Sequence, residues 1–184
     1  MCVAVIMAAF RRALTPGATY FFTVVTYRRA PVLVRPEWLD ALRQSVRSVR
    51  VALPFKIVAW AILPDHLHCI WRLPEGDADY ARRWSLIKRK VSQATAGRVP
   101  SPLEHSRAKR RESGVWQRRF WEHQIRDDSD LQRHVDYIHW NPVKHGYAAS
   151  AAQWPYSTIH RFIARGVLAP DWGGGARIEG EFGE

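Results

Sequence analysis

Cysteine is almost absent from the sequence, which contains only Cys2 and Cys69 and places neither in a Cys-x-x-Cys pair. This scarcity excludes a cysteine-based zinc finger and a framework of disulfides. The sequence has no apolar run of the length that a membrane span requires, and its mildly apolar first ten residues lack the basic leading region of a signal peptide. We therefore expect a cytoplasmic protein without a membrane partner.

Acidic side chains are also few. The 184 residues contain 17 Asp and Glu against 28 Lys and Arg, which gives a formal net charge of +11. An excess of this size on a globular domain favours a polyanionic partner, and nucleic acid before a membrane surface. Nine Trp, six Tyr and seven Phe offer rings that can stack on exposed bases, although we expect most of these rings in the core. The apolar fraction of 47% excludes a disordered polyelectrolyte.

The hydrophobic pattern predicts elements in the order strand, helix, strand, strand, helix, strand. β-branched and aromatic residues mark the strands, and apolar residues at spacings of three and four mark the helices. The predicted ranges are 19–27, 36–53, 55–63, 66–74, 79–97 and 119–125. This order is typical of an α+β, ferredoxin-like split βαβ fold, with an antiparallel sheet of four to five strands, both helices on one face and the other face open.

Composition divides the chain into three parts. A leader covers residues 1–16, a folded domain covers residues 17–165, and a Gly-rich, acidic tail over residues 166–184 is expected to be flexible. Residues 97–115 lose periodicity and carry the basic run 107–111, which predicts a long loop. The second predicted helix adds a set of surface cations: Arg82, Arg83, Lys88, Arg89 and Lys90.

The stretch Pro-Asp-His-Leu-His-Cys places two histidines on one predicted strand. Successive side chains of a strand point to opposite faces, so His66 and His68 share one face while Leu67 and Cys69 take the other. Two imidazoles side by side can bind one divalent cation. The alternative is a pair of histidines that only fills a half-buried sheet face, and the pair by itself does not decide between the two.

A third helix is predicted after the fourth strand. Asp127 caps its start, acidic residues follow where the positive end of the helix dipole favours them, and Pro142 is expected to end it. Its apolar stripe contains Leu131, Val135 and Ile138. A second stripe, about 90° away at ~100° per residue, contains His134, Tyr137 and Asn141. The helix can therefore pack with one stripe and present a tyrosine, a histidine and an amide on its flank.

A helix-borne tyrosine beside a His-x-His pair is suited to phosphodiester chemistry. The Tyr137 hydroxyl would attack phosphorus and form a covalent phosphotyrosine with release of a 3′-hydroxyl. A cation held by His66 and His68 would polarise the phosphate. Asn141, one turn after Tyr137, would reach the same cation as an oxygen ligand, or would instead cap the helix before Pro142. Two imidazoles with hard oxygen ligands favour Mg²⁺ or Mn²⁺.

Three segments carry a specific resemblance. YFFTVVTYRR, PDHLHCIWRLP and VWQRRFWEHQIRDDSDLQRHVDYIHWNPVKHG together resemble the REP-associated tyrosine transposases, relatives of the IS200-type transposases in the HUH endonuclease superfamily. The resemblance covers residues 17–165. It implies that His66 and His68 hold a divalent metal and that Tyr137 is the single catalytic tyrosine. Asn141 stands where related transposases place a Gln as third ligand.

The family acts on single-stranded DNA of repetitive extragenic palindromes and recognises a hairpin beside a short guide sequence. The resemblance therefore implies a metal-dependent single-strand DNA endonuclease and strand transferase that works through a covalent 5′-phosphotyrosine. It implies a monomer or a homodimer that is associated with the nucleoid. Basic side chains are expected to follow backbone phosphates, unless each is only a solvated surface charge. These candidates are Lys88, Arg89, Arg118 and Arg119.

Two other functions stay open at this point. A domesticated, non-catalytic protein would recognise structured DNA and keep the histidines and the tyrosine as relics. An RNA-binding protein built on the same sheet would need stacking aromatics on the open face, whereas the alternation puts His66, His68 and Arg72 there. The presence of both histidines together with Tyr137 favours the enzyme.

Overall fold

The computed structural model describes residues 14–98 and 114–173. The predicted leader up to residue 13, the basic run 107–111 and the tail from residue 174 lie outside these residues, and the domain boundaries stay a prediction. No helix in the described ranges is long and apolar enough to cross a membrane. The helices and strands are β1 Thr19–Val25, α1 Pro36–Ala52, β2 Lys56–Ile62, β3 His66–Arg72, α2 Tyr80–Ala94, β4 Trp121–Gln124, α3 Asp128–Lys144 and α4 Ile159–Ala164.

The four strands form one antiparallel sheet in the order β2-β3-β1-β4. β1 and β3 are the central strands, with Phe22 opposite Cys69 and Thr23 opposite His68. α1 connects β1 to β2, and α2 connects β3 to β4. This is the ferredoxin-like split βαβ arrangement, so the predicted fold class is confirmed.

β1 is shorter than predicted, because it ends at Val25 rather than at Tyr27. Tyr27 begins a short 3-10 turn in which Arg28 and Arg29 have φ values of 53° and 51°. Positive φ in two successive residues with side chains is costly and persists only where the surroundings hold it. The Tyr27 N–H donates to the Val115 carbonyl oxygen at 2.9 Å, which ties the turn to the segment before β4.

α1 and α2 cover one face of the sheet, as predicted. The predicted apolar stripes of both helices are buried: Trp38, Leu42, Val46, Val49, Trp84, Ile87 and Val91. The Trp71 ring of β3 stacks on Trp84 at a centroid distance of 4.2 Å and lies 4.1 Å from the Phe55 ring. Burial of one large apolar side chain contributes about 1.5–3 kcal/mol, so this aromatic layer stabilises the helix-covered face.

Arg83 is not the surface cation that the sequence suggested. Its side chain is 1% exposed and forms an ion pair with Asp77 at 2.7 Å. The guanidinium also donates to the carbonyl oxygens of Leu53 and Pro54 at 3.3 and 2.9 Å. A buried charge is tolerated when it is paired and hydrogen-bonded. Arg83 therefore joins α2 to the connection between α1 and β2.

The prediction that the second sheet face is open is wrong, because α3 covers it. Phe21, Ala61 and Ile70 of the sheet pack with Val135 and Ile138 of α3, and all five are buried. The alternation in β3 reveals one apolar face, but Phe21 and Ile70 make the histidine face apolar as well. A sheet with apolar side chains on both faces has to cover both.

α3 continues to Lys144, so the prediction that it ends before Pro142 is wrong. A proline removes one N–H donor and crowds the preceding turn of a helix, but Pro142 lies in the last turn, where few further hydrogen bonds depend on it. The carbonyl oxygens of Asn141 and Pro142 accept hydrogen bonds from the N–H groups of His145 at 3.1 Å and Tyr147 at 2.9 Å. These bonds complete the end of the helix.

The chain after α3 returns to the edge strand β2. The Ile62 N–H donates to the Tyr156 carbonyl oxygen at 2.9 Å, and the Thr158 N–H donates to the Trp60 carbonyl oxygen at 2.9 Å. Residues 156–158 therefore follow β2 before α4 begins.

The buried imidazole of His139 joins α4 to α3. Its Nε2 lies 3.0 Å from the Thr158 hydroxyl, and its ring lies 4.8 Å from the Phe162 ring of α4. Burial, together with the charges of Arg161 and His160, lowers the pKa of His139 to about 3. The imidazole is therefore neutral at neutral pH and packs as an apolar ring with one polar contact.

Asp130 joins the start of α3 to β4. Its carboxylate is 1% exposed and lies 2.8 Å from His123 Nε2 and 3.1 Å from Arg126 Nε. Burial raises the pKa of the Asp130 carboxyl, but hydrogen bonds from Arg126 and His123 outweigh burial and hold the pKa well below its usual range. The predicted cap is confirmed, because the Asp127 side chain accepts from the Asp130 N–H at 2.8 Å.

Replacement of Asp130 by Asn should lower the free energy of unfolding at pH 7 by about 1–3 kcal/mol, because charge-assisted hydrogen bonds are lost. The depressed pKa makes this contribution complete above the ordinary value of 3.8, and the contribution is lost progressively as the pH falls from that value through the lower pKa of the folded state. Urea unfolding should therefore separate the wild type from Asp130→Asn at pH 7 and by less at pH 3, where the contribution has begun to fall. The exposed carboxylate of Asp40 supplies the control, Asp40→Asn. A difference that is equal at both pH values would contradict this role of Asp130.

Candidate active site

β3 brings two histidines together on the face that α3 covers. His66 and His68 are 1% and 0% exposed, and their ring centroids lie 4.9 Å apart. The predicted shared face is confirmed. Because β3 is hydrogen-bonded to β1 on one side and β2 on the other, its backbone is held by two ladders. The pair therefore lies on a rigid part of the sheet.

The Nδ1 atom of each histidine has a partner that orients the ring. His66 Nδ1 lies 2.7 Å from Asp65 Oδ1, and His68 Nδ1 lies 2.9 Å from the Thr23 hydroxyl. Burial raises the pKa of Asp65, but interactions with His66 and Arg29 outweigh burial and hold the pKa at about 2. The ionised carboxylate only accepts hydrogen bonds, so His66 Nδ1 donates and Nε2 carries the lone pair in the neutral ring.

Asp65 is itself held in place by the turn that follows β1. The Arg29 guanidinium lies 3.0 Å from Asp65 Oδ2. The Thr26 N–H and hydroxyl both donate to the Asp65 carbonyl oxygen at 2.8 Å. Arg29, whose φ is positive, therefore lies in the turn after β1, and its side chain contacts the Asp65 carboxylate that orients His66. Strained backbone of this kind is common beside functional sites.

α3 places Tyr137 beside the histidine pair. The Tyr137 ring centroid lies 5.1 Å from that of His68 and 6.1 Å from that of Phe21, and the residue is 1% exposed. The two stripes predicted for this helix are both directed inward, since His134, Tyr137 and Asn141 are as buried as Val135 and Ile138. The structure thus brings the predicted strand and helix residues together.

Two further residues at this site were missed in the sequence. Lys144 Nζ lies 3.5 Å from the Tyr137 hydroxyl and 5.0 Å from the Tyr137 ring centroid. The His145 ring centroid lies 5.2 Å from that of His66. A signal for Lys144 was present, because a residue seven positions after Tyr137 lies about two helical turns away on the same side. Lys144 was not predicted as a site residue because the helix was expected to end before Pro142.

Asn141 lies one turn after Tyr137 and is fully buried. The alternative role of Asn141 as a helix cap is excluded, because α3 continues to Lys144 and the C-cap is His145. Its role as a third metal ligand stays a prediction.

The four basic candidates for DNA binding are placed as follows. Lys88 and Arg89 lie on α2, which packs on the opposite sheet face from Tyr137. Lys88 Nζ donates to a backbone carbonyl oxygen before β4 at 2.7 Å. Arg118 and Arg119 are exposed in the segment before β4. Their contact with DNA stays a prediction.

A second group of potential ligands lies between β4 and α3. One ligand atom from each of His123, Asp130 and His134 lies within 4.8 Å of the others, and the two rings stack at 4.6 Å. However, Asp130 also forms ion pairs with Arg126 and Arg133, each at 3.1 Å. Because two guanidinium groups already neutralise this carboxylate, we interpret the group as the link between the strand and the helix.

Comparisons with known proteins identify the family of this chain. The profile of the family described as "Transposase IS200 like" matches residues 15–141, a range that contains all four strands, both histidines and Tyr137. The chain belongs to the IS200-like transposase family. A REP-associated tyrosine transposase of Escherichia coli (strain K12) is 42% identical over 168 residues, which cover 91% of this transposase and 92% of the relative. A putative REP-associated tyrosine transposase of Haemophilus influenzae is also 42% identical over 168 residues, with coverages of 91% and 94%.

A solved structure also resembles this transposase. It shows a REP-associated tyrosine transposase bound to a REP hairpin, with 40% sequence identity and a TM-score of 0.77. The match covers 97% of this transposase and 94% of the other chain. The ferredoxin-like α+β fold is thereby confirmed a second time. Tyrosine transposases are enzymes, so the prediction of an enzyme of the REP-associated tyrosine transposase family is also confirmed.

The tautomer of His66 should depend on Asp65. In the wild type at pH 8, nitrogen-15 NMR of the imidazole should show His66 protonated at Nδ1, because the Asp65 carboxylate accepts that proton. Asp65→Asn should shift the ring toward the Nε2-protonated form, while Asp40→Asn on the exposed face of α1 should leave it unchanged. An Nε2-protonated His66 in the wild type would refute the assigned direction of the Asp65 hydrogen bond.

Proposed function

We propose that the protein is a metal-dependent endonuclease and strand transferase for single-stranded, hairpin-forming repetitive palindromic DNA. Tyr137 is the nucleophile, and the reaction proceeds through a covalent 5′-phosphotyrosine. The observation that carries the proposal is the proximity of three rings. The ring centroids of Tyr137 and His68 lie 5.1 Å apart, and those of His68 and His66 lie 4.9 Å apart. A phenol from a helix and two imidazoles from a strand meet in one place, as the chemistry requires.

The donor set of this site fits a divalent cation. His66 and His68 each have Nδ1 engaged by an oxygen, which directs Nε2 to be the ligand atom. A metal-binding histidine usually donates its second ring N–H to a carboxylate, a carbonyl oxygen or water. Asn141 would add an amide oxygen, and Mg²⁺ or Mn²⁺ accepts such oxygen ligands. When bound, the cation would polarise the scissile phosphate and neutralise developing charge.

The residues of the chain perform the transfer as follows. The Tyr137 oxygen forms a bond to phosphorus while the bond between phosphorus and the 3′-oxygen breaks. The leaving 3′-oxygen keeps the electron pair and gains a proton, and the phenolic proton passes to solvent. The ammonium group of Lys144, 3.5 Å from the hydroxyl, stabilises negative charge on the attacking oxygen. Attack of a 3′-hydroxyl on the phosphotyrosine is the reverse step and joins two strands.

The choice of substrate is supported by the relatives and by the charge. The solved structure at 40% identity is of a protein bound to a REP hairpin. The formal net charge of +11 favours binding to a polyanion. A non-catalytic hairpin-binding protein shares these two properties, so a test of cleavage has to separate the two functions.

Tyr137→Phe should abolish nicking of hairpin-bearing single-stranded DNA from the source genome, because only the attacking oxygen is removed. Binding of the same DNA should change by less than about threefold, since the ring and its packing remain. Nicking is measured on labelled oligonucleotides with Mg²⁺ or Mn²⁺, and mass spectrometry of the wild type should find a nucleotide adduct on Tyr137.

Tyr156→Phe is the matched control for the loss of a phenol and should nick at the wild-type rate. Tight binding by the wild type with no product under either metal would overturn the enzymatic proposal. It would favour the non-catalytic hairpin-binding protein instead.

His66→Gln should weaken Mn²⁺ binding at least tenfold, in line with the cost of disturbing a metal ligand or its support. Calorimetry of the protein without DNA measures this affinity, and EDTA should stop nicking by the wild type. His160→Gln removes an exposed histidine of α4 and should bind Mn²⁺ like the wild type. Nicking that persists in EDTA would refute the metal dependence.

A further inference from the structure

A basic cavity lies at the edge of the sheet, at the opposite end of β3 from His66. It has a volume of 510 Å³ and is bounded by the start of β2, the end of β3 and α4. Five cations line it and no acidic residue does: Arg50, Lys56, Arg72, Arg161 and Arg165. Within residues 14–98 and 114–173, none of the five forms an ion pair with a carboxylate. The cavity is therefore strongly positive without an internal counter-charge.

Arg161 is the fixed cation of this cavity. Its Nη2 donates to the carbonyl oxygens of Ile57 and Val58, at the β-bulge where the register of β2 and β3 shifts. Its Nε is buried and has no hydrogen-bond partner. Burial lowers the pKa of Arg161, and the charges of Arg165 and Arg50 lower it further. A bound anion would relieve this repulsion and would supply an acceptor for the guanidinium group.

The cavity lies within reach of DNA that occupies the candidate active site. Arg72 is on the same face of β3 as His66 and His68, because all three have the same parity along the strand. At ~3.3 Å per residue, Arg72 is roughly 13 Å from His68 and roughly 20 Å from His66 along β3. A duplex rises ~3.4 Å per base pair, so these distances correspond to about four to six base pairs.

We infer that the cavity binds backbone phosphate of the same DNA molecule whose strand lies at Tyr137. Guanidinium and ammonium groups bind backbone phosphates. Such contacts fix the position of the protein on DNA but do not distinguish one base from another. The inference rests on the proposed function and adds to it a second DNA contact, at the edge of the sheet.

The test removes two exposed cations of the cavity and leaves Arg161 with its backbone contacts intact. Lys56→Gln/Arg165→Gln is compared with the wild type for binding of hairpin DNA in EDTA, over a series of salt concentrations. Each phosphate contact contributes about 0.9 to the slope of log K against log salt, so the loss of two contacts should reduce the slope by about 1.8.

Two controls isolate the position of the charges. Arg43→Gln/Arg82→Gln removes two exposed cations from α1 and α2 and should keep the wild-type slope. Lys56→Arg/Arg165→Lys retains both charges of the cavity and should also keep that slope. Because these side chains are exposed, the variants should melt within a few degrees of the wild type.

The outcomes separate this inference from the proposed function. An unchanged slope in Lys56→Gln/Arg165→Gln, or an equal reduction in the Arg43 and Arg82 control, overturns the cavity as a DNA contact. If the wild type nicks DNA while that slope is unchanged, the proposed enzyme stands and the cavity contact is refuted. If the slope falls by the expected amount but the wild type never nicks, the cavity contact stands and the proposed nicking reaction is refuted.

Discussion

The packing of α3 on the sheet is the interaction on which the site depends, and the Phe21 ring lies at its centre. The ring centroids of His68, His134 and Tyr137 lie 5.5, 4.9 and 6.1 Å from that of Phe21. Burial of a ring of this size contributes about 1.5–3 kcal/mol. The same contact sets the separation between a phenol on a helix and an imidazole on a strand. Packing and the proposed chemistry therefore depend on the same ring, and a change at Phe21 should affect both.

Two ionised carboxylates hold this arrangement at its two ends. Asp65 fixes the ring of His66 at the start of β3, and Arg29 holds Asp65 from the turn after β1. Asp130 holds His123 of β4 against the first turn of α3. In both cases a histidine and at least one arginine share one carboxylate, so the negative charge has several partners and its desolvation is offset. Asp130 thus links α3 to the sheet by charge, and Asp65 links β3 to the turn after β1.

The sequence allowed the order of elements, the buried stripes of α1 and α2 and the shared face of His66 and His68 to be predicted, because these depend on local periodicity. Three features were not predicted, and the first two depend on tertiary contacts. Arg83 is buried because carbonyl oxygens distant in sequence complete its hydrogen bonds. The histidine face is covered because Phe21 and Ile70 add apolar area to it. α3 passes through Pro142, and this extension brings Lys144 to Tyr137.

The pairing of residues 156–158 with β2 has a consequence for solubility. The family match ends at Asn141, yet the backbone groups of Trp60 and Ile62 on the outer strand are occupied by this later segment. A bare outer strand presents a row of donors and acceptors on which another chain can add a strand, and such edges lead to aggregation. Residues 156–158 therefore cover the edge of β2 and prevent it from pairing with a strand of another copy of the protein. A fragment that ends at Asn141 would retain His66, His68 and Tyr137 but would expose an unpaired β2 edge that favours aggregation.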